Sequence, residues 1–416
     1  LFAGIYPALL LSKFKPVKIL SGKLGTEKGS FGLRKILVIA QFAVSAVLII
    51  SAIVIDNQLN FIRNKNLGFE KNYLIVIDIN SNNVTKNFQV MKNEFRSHPG
   101  VKNVTVSSGV PGDWKDISRI DIANFGSSIS SAINTYFIGA DEKYLGTYKI
   151  NIKEGRNFSG EISDSSSILL NEAAVKSLNL TDPLGKEISV FNTYYNGSQE
   201  KTDFKARVIG IVRDFHFRSL YQEIKPIVIG FWNNPMDRID YFTAEISGTN
   251  IPGTIHYLKT IGEKFDPVHP FEYNFLDERI NDFYKKDQKF GKLIAASTFL
   301  AIFIAALGLL GLSLFTFRQR TKEVGIRKVL GASIPSIVMT LSKEFMILVL
   351  LSLVLSFPAA YFLLNKWLQN YAYRTGIDFL TFLAAGFMIL FIAASSISIQ
   401  IIKAAASNPV KSLRYE

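Results

Sequence analysis

Apolar residues in this chain are gathered into four long runs rather than spread evenly. ILVIAQFAVSAVLIISAIVI (Ile36–Ile55) carries no charge. LIAASTFLAIFIAALGLLGLSLFTF (Leu293–Phe317), FMILVLLSLVLSFPAAYFLL (Phe345–Leu364) and FLTFLAAGFMILFIAASSISIQII (Phe379–Ile402) repeat the pattern. A helix needs about 20 apolar residues to cross the hydrocarbon of a bilayer, and a buried soluble helix seldom sustains such a run. Each run therefore predicts a membrane-spanning helix. A shorter stretch, LFAGIYPALLL (Leu1–Leu11), has about half a span's length by the same measure and no charged lead of the kind that opens a signal peptide. It reads as the end of a preceding membrane helix, so the chain is expected to be a fragment of something longer.

Between the first and second runs the pattern changes. LIVIDI (Leu74–Ile79), VKNVTVSS (Val101–Ser108) and ARVIGIV (Ala206–Val212) are strand-like, NEAAVKSLNL (Asn171–Leu180) is helix-like, and Gly, Asn, Asp and Ser turns punctuate the whole. This insert is long enough for a core of its own. Its ends, DNQLNFIRNKNL (Asp56–Leu67) and DERINDFYKKDQKFGK (Asp277–Lys292), are polar with apolar residues at helical spacing, as expected of stalks that prolong the flanking spans. The predicted fold class is a polytopic α-helical membrane protein with a large extracytoplasmic α+β domain inserted between the first two complete spans. In order, the expected segments are the end of a truncated helix (1–12), a basic linker (13–35), a span (36–55), the inserted domain with its stalks (56–292) and a second span (293–317). A cytoplasmic loop (318–344), a third span (345–364), a short outer loop (365–378), a fourth span (379–402) and a tail (403–416) follow.

Charge sets the orientation. The formal net charge is +13, but the cations sit where membrane topology needs them. Lys13, Lys15, Lys18, Lys23, Lys28, Arg34 and Lys35 precede the first span. Arg318, Arg320, Lys322, Arg327, Lys328 and Lys343 lie between the second and third, and Lys403, Lys411 and Arg414 follow the fourth. With four spans these segments share one side, which the excess of Lys and Arg marks as cytoplasmic. The basic balance reads as topology and not as a nucleic-acid footprint. The absence of cysteine excludes disulfides, thiolate catalysis and Cys-ligated metal.

Catalytic signatures are scarce. GKLGTEKGS (Gly22–Ser30) lacks the GxxxxGK[ST] spacing that cradles phosphate, and no GxGxxG follows a strand. His98, His216, His256 and His269 fall outside any HExxH, and no GxSxG elbow occurs. Asp214 and His216 in DFHF stand two apart, on one face if extended. They read either as half a metal site or acid/base pair, or as a polar turn, and no third ligand is apparent. The spans contain few charges, so no proton or ion path is written in them. In the second run Ser297, Ala301, Ala305 and Gly308 recur at helical spacing, an expected face for close helix packing in lipid. The most informative polar segment is RQRTKEVGIRKVLGAS (Arg318–Ser333). Thr321–Leu330 predicts a short helix stopped by Gly331. Ile326, Val329 and Leu330 form an apolar stripe. Arg320, Glu323 and Arg327 form another face, with Glu323 and Arg327 spaced for an i,i+4 pair.

That segment resembles the hallmark cytoplasmic loop of the MacB/FtsX-type permease subunits of bacterial ABC transporters. EGRNFS (Glu154–Ser159), ILLNEAAVKSLNLTDPLGKEI (Ile168–Ile188), VIGIVRDFHFRSLYQEIKPIVI (Val208–Ile229) and FLDERINDFY (Phe275–Tyr284) resemble that family's periplasmic core domain. The resemblance implies a coupling helix in which Arg320, Glu323, Val324, Gly325, Ile326 and Arg327 contact a separate, dimeric ABC-type ATPase. That ATPase, not this chain, would bind ATP and Mg²⁺, so no cofactor and no catalysis are expected here. Membrane lipid and a missing N-terminal permease half are the other expected partners, and the resemblance also allows a periplasmic adaptor or outer-membrane channel. Implied location is the bacterial inner membrane. Implied activity is efflux or export driven by mechanotransmission; the alternative is an FtsX-like transmitter that regulates a periplasmic cell-wall hydrolase. A membrane-anchored sensor or hydrolase fits less well, because the cytoplasmic segments are short and the insert lacks a nucleophile–base set. The phrase Pro-Val-Lys-x-Leu occurs in KFKPVKIL (Lys13–Leu20) and again in SNPVKSL (Ser407–Leu413). In the family context each marks the cytoplasmic exit of a four-span unit, as in the C-terminal half of a duplicated eight-span permease.

Overall fold

The computed structural model describes residues 28–112, 117–194, 201–234, 239–320, 323, 324, 326, 327 and 330–405. The start Leu1–Leu11, both Pro-Val-Lys phrases, most of the Gly22–Ser30 linker and the coupling-segment residues Gly325, Lys322, Lys328 and Val329 lie outside them. In chain order the helices are α1 (Lys28–Asn64), α2 (Asn82–Lys86), α3 (Phe88–Ser97), α4 (Tyr144–Tyr148), α5 (Glu172–Ser177), α6 (Ile251–Phe265), α7 (Leu276–Phe283), α8 (Lys285–Gln319), α9 (Ile334–Leu368) and α10 (Phe379–Ala405). The strands are β1 (Leu74–Asp78), β2 (Val101–Ser107), β3 (Arg119–Asn124), β4 (Ile133–Ala140), β5 (Ile152–Gly155), β6 (Ser167–Asn171), β7 (Glu187–Tyr194), β8 (Lys201–Val212), β9 (Ile227–Phe231), β10 (Tyr241–Ile246) and β11 (Tyr273–Phe275). The chain forms two units: Leu1–Gln58 with Lys289–Leu368 and Thr375–Glu416, and Leu59–Gln288 with Gln369–Arg374.

The first unit is helical. Four of its helices are long and apolar enough to cross a membrane: Arg34–Asn64, Lys285–Gln319, Met339–Leu368 and Phe379–Ser398. At 1.5 Å per residue the 35 residues of α8 extend about 50 Å, well beyond a hydrocarbon core of about 30 Å. The first stalk is one uninterrupted helix through Asn64, whereas the second is broken at Tyr284, between α7 and α8. The core joins Phe42, Ala46 and Ile50 of α1 to Ala305 and Leu309 of α8, Leu341, Phe345 and Val349 of α9, and Ala385, Ile389 and Ala393 of α10. Alanines at these contacts let backbones approach where no hydrophobic force separates lipid from Leu. The α9 helix begins at Ile334, well before the third apolar run. Ile337, Leu341, Phe345 and Leu348 are all buried and hold a helical period through SIPSIVMTLSKEF, which run length overlooks because Ser, Thr, Lys and Glu interrupt it. The α9 helix contains Pro358 without ending there, as spans tolerate when neighbours and side chains re-satisfy the freed backbone.

The second unit is α+β. Its strands run β11-β1-β10-β2-β4-β3-β7-β8-β6-β9, with β5 on the edge of β8 and β4 also paired with β9. That last, parallel pairing (Tyr136↔Ile227 to Ala140↔Phe231) closes β4, β3, β7, β8, β6 and β9 into a ring. Ile122, Phe137, Leu170, Val190, Val208 and Val228 form its core. On the open side, α3 and α6 cover β1, β10 and β2 through Phe95, Leu258, Ile75, Val104 and Phe242. Lys92 of α3 is buried against Asp141 at 2.6 Å, and the Val106 N–H also donates to that carboxylate, so the charge is paired where an isolated one would be costly.

Asn171 ties two of the four expected family segments of this unit together. It caps α5, its Oδ1 accepting from Ala174 N–H at 3.0 Å. The same oxygen accepts from Ile227 N–H at 2.9 Å, while Nδ2 donates to Asp214 Oδ1 at 2.8 Å and to the Lys225 carbonyl at 3.1 Å. One buried side chain thus joins NEAAVKSL to VRDFHF and to the start of β9.

Candidate functional site

The helical connection between α8 and α9 is built from local hydrogen bonds. Arg320 N–H donates to both Thr316 O and Phe317 O at 3.1 Å, marking where the chain leaves α8. Val324 N–H then donates to Arg320 O, and Leu330 N–H to Ile326 O, each at 3.0 Å. Gly331 adopts φ +88°, and Ala332 N–H reaches back to Arg327 O at 2.9 Å. That six-to-one bond past a left-handed glycine is a Schellman stop, and it satisfies a carbonyl that the helix end would orphan. Glu323 and Arg327 form the i,i+4 pair, Oε1 to Nη2 at 2.8 Å.

The expected contact residues separate into two groups. Ile326 is 54% and Leu330 81% exposed, one turn apart on the same side, with the Glu323–Arg327 pair beside them. Val324 instead packs half-buried against the membrane-unit core. Arg320 turns to α9, where its Nη2 donates to Glu344 Oε1 at 2.6 Å. Glu344 was not among the expected site residues. Its signal in the sequence is an acid in a segment otherwise rich in Lys and Arg. Exposed apolar side chains framed by paired charges can seat against a complementary protein surface.

The expected packing face on α8 is rotated by one residue at its outer end. Ser297 is exposed, and the adjacent Thr298 is the buried residue. Its Oγ1 donates to Leu48 O of α1 at 3.1 Å as well as to Ile294 O of its own helix at 2.7 Å. Further along, Ala301 is half-buried, Ala305 is buried, and a Cβ on Gly308 would lie 2.3 Å from Gln41 Oε1. Packing volume thus decides the face near Ala305 and Gly308, while a hydroxyl that can bridge helices decides it at 298.

Asp214 and His216 do not act as a pair. The strand β8 ends at Val212, and the two side chains take separate partners. Asp214 Oδ1 accepts from Asn171 and from Ala173 N–H at 3.0 Å. Burial pushes its carboxyl above the usual range, against those hydrogen bonds. The His216 ring stands edge-on to Tyr373 at 4.7 Å. Burial, with Lys65 nearby, depresses its pKa to about 4, so it is neutral at ordinary pH. His98 accepts from Gly100 N–H, and His269 pairs with Asp266 at 2.9 Å. Among the described residues no cluster of three or more His, Cys, Asp or Glu has metal-binding geometry.

Four membrane-length helices with a periplasmic-type α+β domain between the first and second define a polytopic membrane permease. Residues 36–239 match the MacB-like periplasmic core domain family and residues 295–409 the C-terminal domain of FtsX-like permeases. The chain belongs to the MacB/FtsX-type permeases. It is 26% identical over 220 residues to the macrolide export ATP-binding/permease protein MacB of Aggregatibacter actinomycetemcomitans, a match covering 50% of this chain and 32% of that protein. The chain therefore spans about a third of that relative's length. Similar solved structures include the periplasmic region of MacB from Actinobacillus actinomycetemcomitans (TM-score 0.37, 16% identity, 54% of this chain and 97% of that one). Another is the extracellular domain of the ABC-type transporter YknZ from Gram-positive bacteria (TM-score 0.34, 15% identity, 48% and 97%).

Proposed function

We propose that this chain is the permease subunit of an ABC transporter of the bacterial inner membrane, coupled to a separate ATPase through the segment around Glu323–Leu330. The observation that carries the reading is the pairing of exposed Ile326 and Leu330 with a glycine-stopped helix in a basic segment between two spans. Such a helix offers a partner an apolar contact whose position is fixed before binding, which lowers the ordering cost of association. ATP-driven closure of the partner would press on this helix, and α8 would carry the displacement along its length toward the α+β unit. Work would then be done outside the membrane core, giving efflux by mechanotransmission without a route through the spans.

The test is a triple variant, Glu323→Arg, Arg327→Glu and Ile326→Ala, reconstituted with the ATPase that co-purifies with the wild-type chain. Reversing both charges preserves the internal pair, so the helix persists while its surface is inverted. Permease-stimulated ATP hydrolysis should fall to the level of the ATPase alone. Undiminished stimulation would refute the coupling role, as would wild-type preparations that recover no ATPase.

A further inference from the structure

Two carboxylates stand in the otherwise basic stretch between Leu293 and Gln369, and both are engaged by arginines. Glu323 serves the short helix itself. Glu344 lies on α9, about three turns past its start, and grips Arg320 from 24 residues away in sequence. Arg320 is the first residue beyond α8, at the point where the chain departs from that helix. Next to the pair, Phe317 and Phe345 are buried and meet edge to face at 6.5 Å. Each side chain of the ion pair is about one-third exposed.

This placement matters because the covalent path from the short helix to α9 is broken. It passes through Gly331 in a left-handed turn and then Ala332 and Ser333 before α9 begins. A push on Ile326 or Leu330 that travelled only along the backbone would be absorbed by that turn. The Arg320–Glu344 contact bypasses it. We propose that Glu344 is a positioning residue: through Arg320 it latches the root of the coupling segment to α9, so that displacement of the segment reaches α9 together with α8. The proposal rests on the coupling role above and assigns Arg320 to the latch, not to the ATPase surface.

The chain has no cysteine, so Leu330→Cys accepts a nitroxide label without background. In lipid nanodiscs without ATPase, Glu344→Gln should sharpen the label's spectrum as the segment loosens. Arg320→Glu and Glu344→Arg should each do the same, and the two combined should return the wild-type lineshape. With the co-purified ATPase and unlabelled chain, Glu344→Gln should reduce permease-stimulated hydrolysis at least fivefold, and the charge swap should restore it. A lineshape unaffected by Glu344→Gln, or a swap no better than either reversal alone, overturns the latch. Loosening in the nanodisc experiment supports the latch even where no ATPase is recovered, an outcome that would defeat the coupling role alone.

Discussion

Replacing Asn171 with Ala removes four hydrogen bonds from one fully buried position without changing the backbone. The Ala174 N–H loses its cap, which costs about 1 kcal/mol. The Ile227 N–H and Lys225 carbonyl lose partners in a buried setting, where an orphaned group costs about 1–3 kcal/mol. Asp214 keeps the Ala173 N–H, so its loss is partial. Taking the cap, one orphaned group in full and nothing for the rest gives about 3 kcal/mol, roughly a 150-fold change in the local opening equilibrium at 1.36 kcal/mol per decade. Hydrogen exchange by mass spectrometry on the chain in nanodiscs reads this directly. Peptides spanning β6 with α5, and peptides spanning β9, should both exchange on the order of 100-fold faster, as buried segments do when their opening energy falls. Peptides from β1 and β10 should be unchanged. If only the α5 peptide accelerates, or if the change is below tenfold, Asn171 is a local cap and does not join the segments.

Gly155 in EGRNFS has φ +81°, and an added Cβ would lie 2.3 Å from Ile209 O and 2.7 Å from the Gly210 Cα. Gly155→Ala should cost more than about 2 kcal/mol through strain and backbone collision and lower the thermal midpoint by several degrees. Gly126→Ala, at φ +80° but in open space, should cost about 1 kcal/mol; equal midpoints for the two variants would contradict the clash. His216 is depressed to about 4 from an ordinary 6.5 by burial and then by Lys65, so the unfolded state binds the proton first. Its contribution is fully present above pH 6.5 and is lost as pH falls from there to about 4, by up to about 3 kcal/mol. The His216→Phe variant keeps a ring against Tyr373 and should flatten the pH dependence of exchange in the 213–220 segment over that window; an unchanged slope would refute it.

The four spans were legible in the chain because lipid imposes a crude rule: about 20 apolar residues in succession satisfy it wherever they occur. The short helix at Glu323 and its stop at Gly331 were legible for a similar reason, since i,i+4 spacing and a left-handed glycine are local chemistry. LIVIDI and VKNVTVSS could be read as strands, but nothing in them says that β1 lies between β10 and β11, or that β4 pairs in parallel with β9 to close a ring. Such pairings depend on which faces are free once distant segments have collapsed, and the pattern of a single strand does not encode its neighbour. DFHF shows the limit most clearly. Spacing alone placed Asp214 and His216 together, yet the chain leaves the strand at Val212, one side chain serves the cap of α5, and the other packs on Tyr373. The same holds at the membrane. Sequence determined that Arg320 and Glu344 are charges near the ends of two spans; only the packing of α8 against α9 brought them to 2.6 Å, because an ion pair is decided by distance in space, and a separation of 24 positions along the chain carries no rule that fixes it.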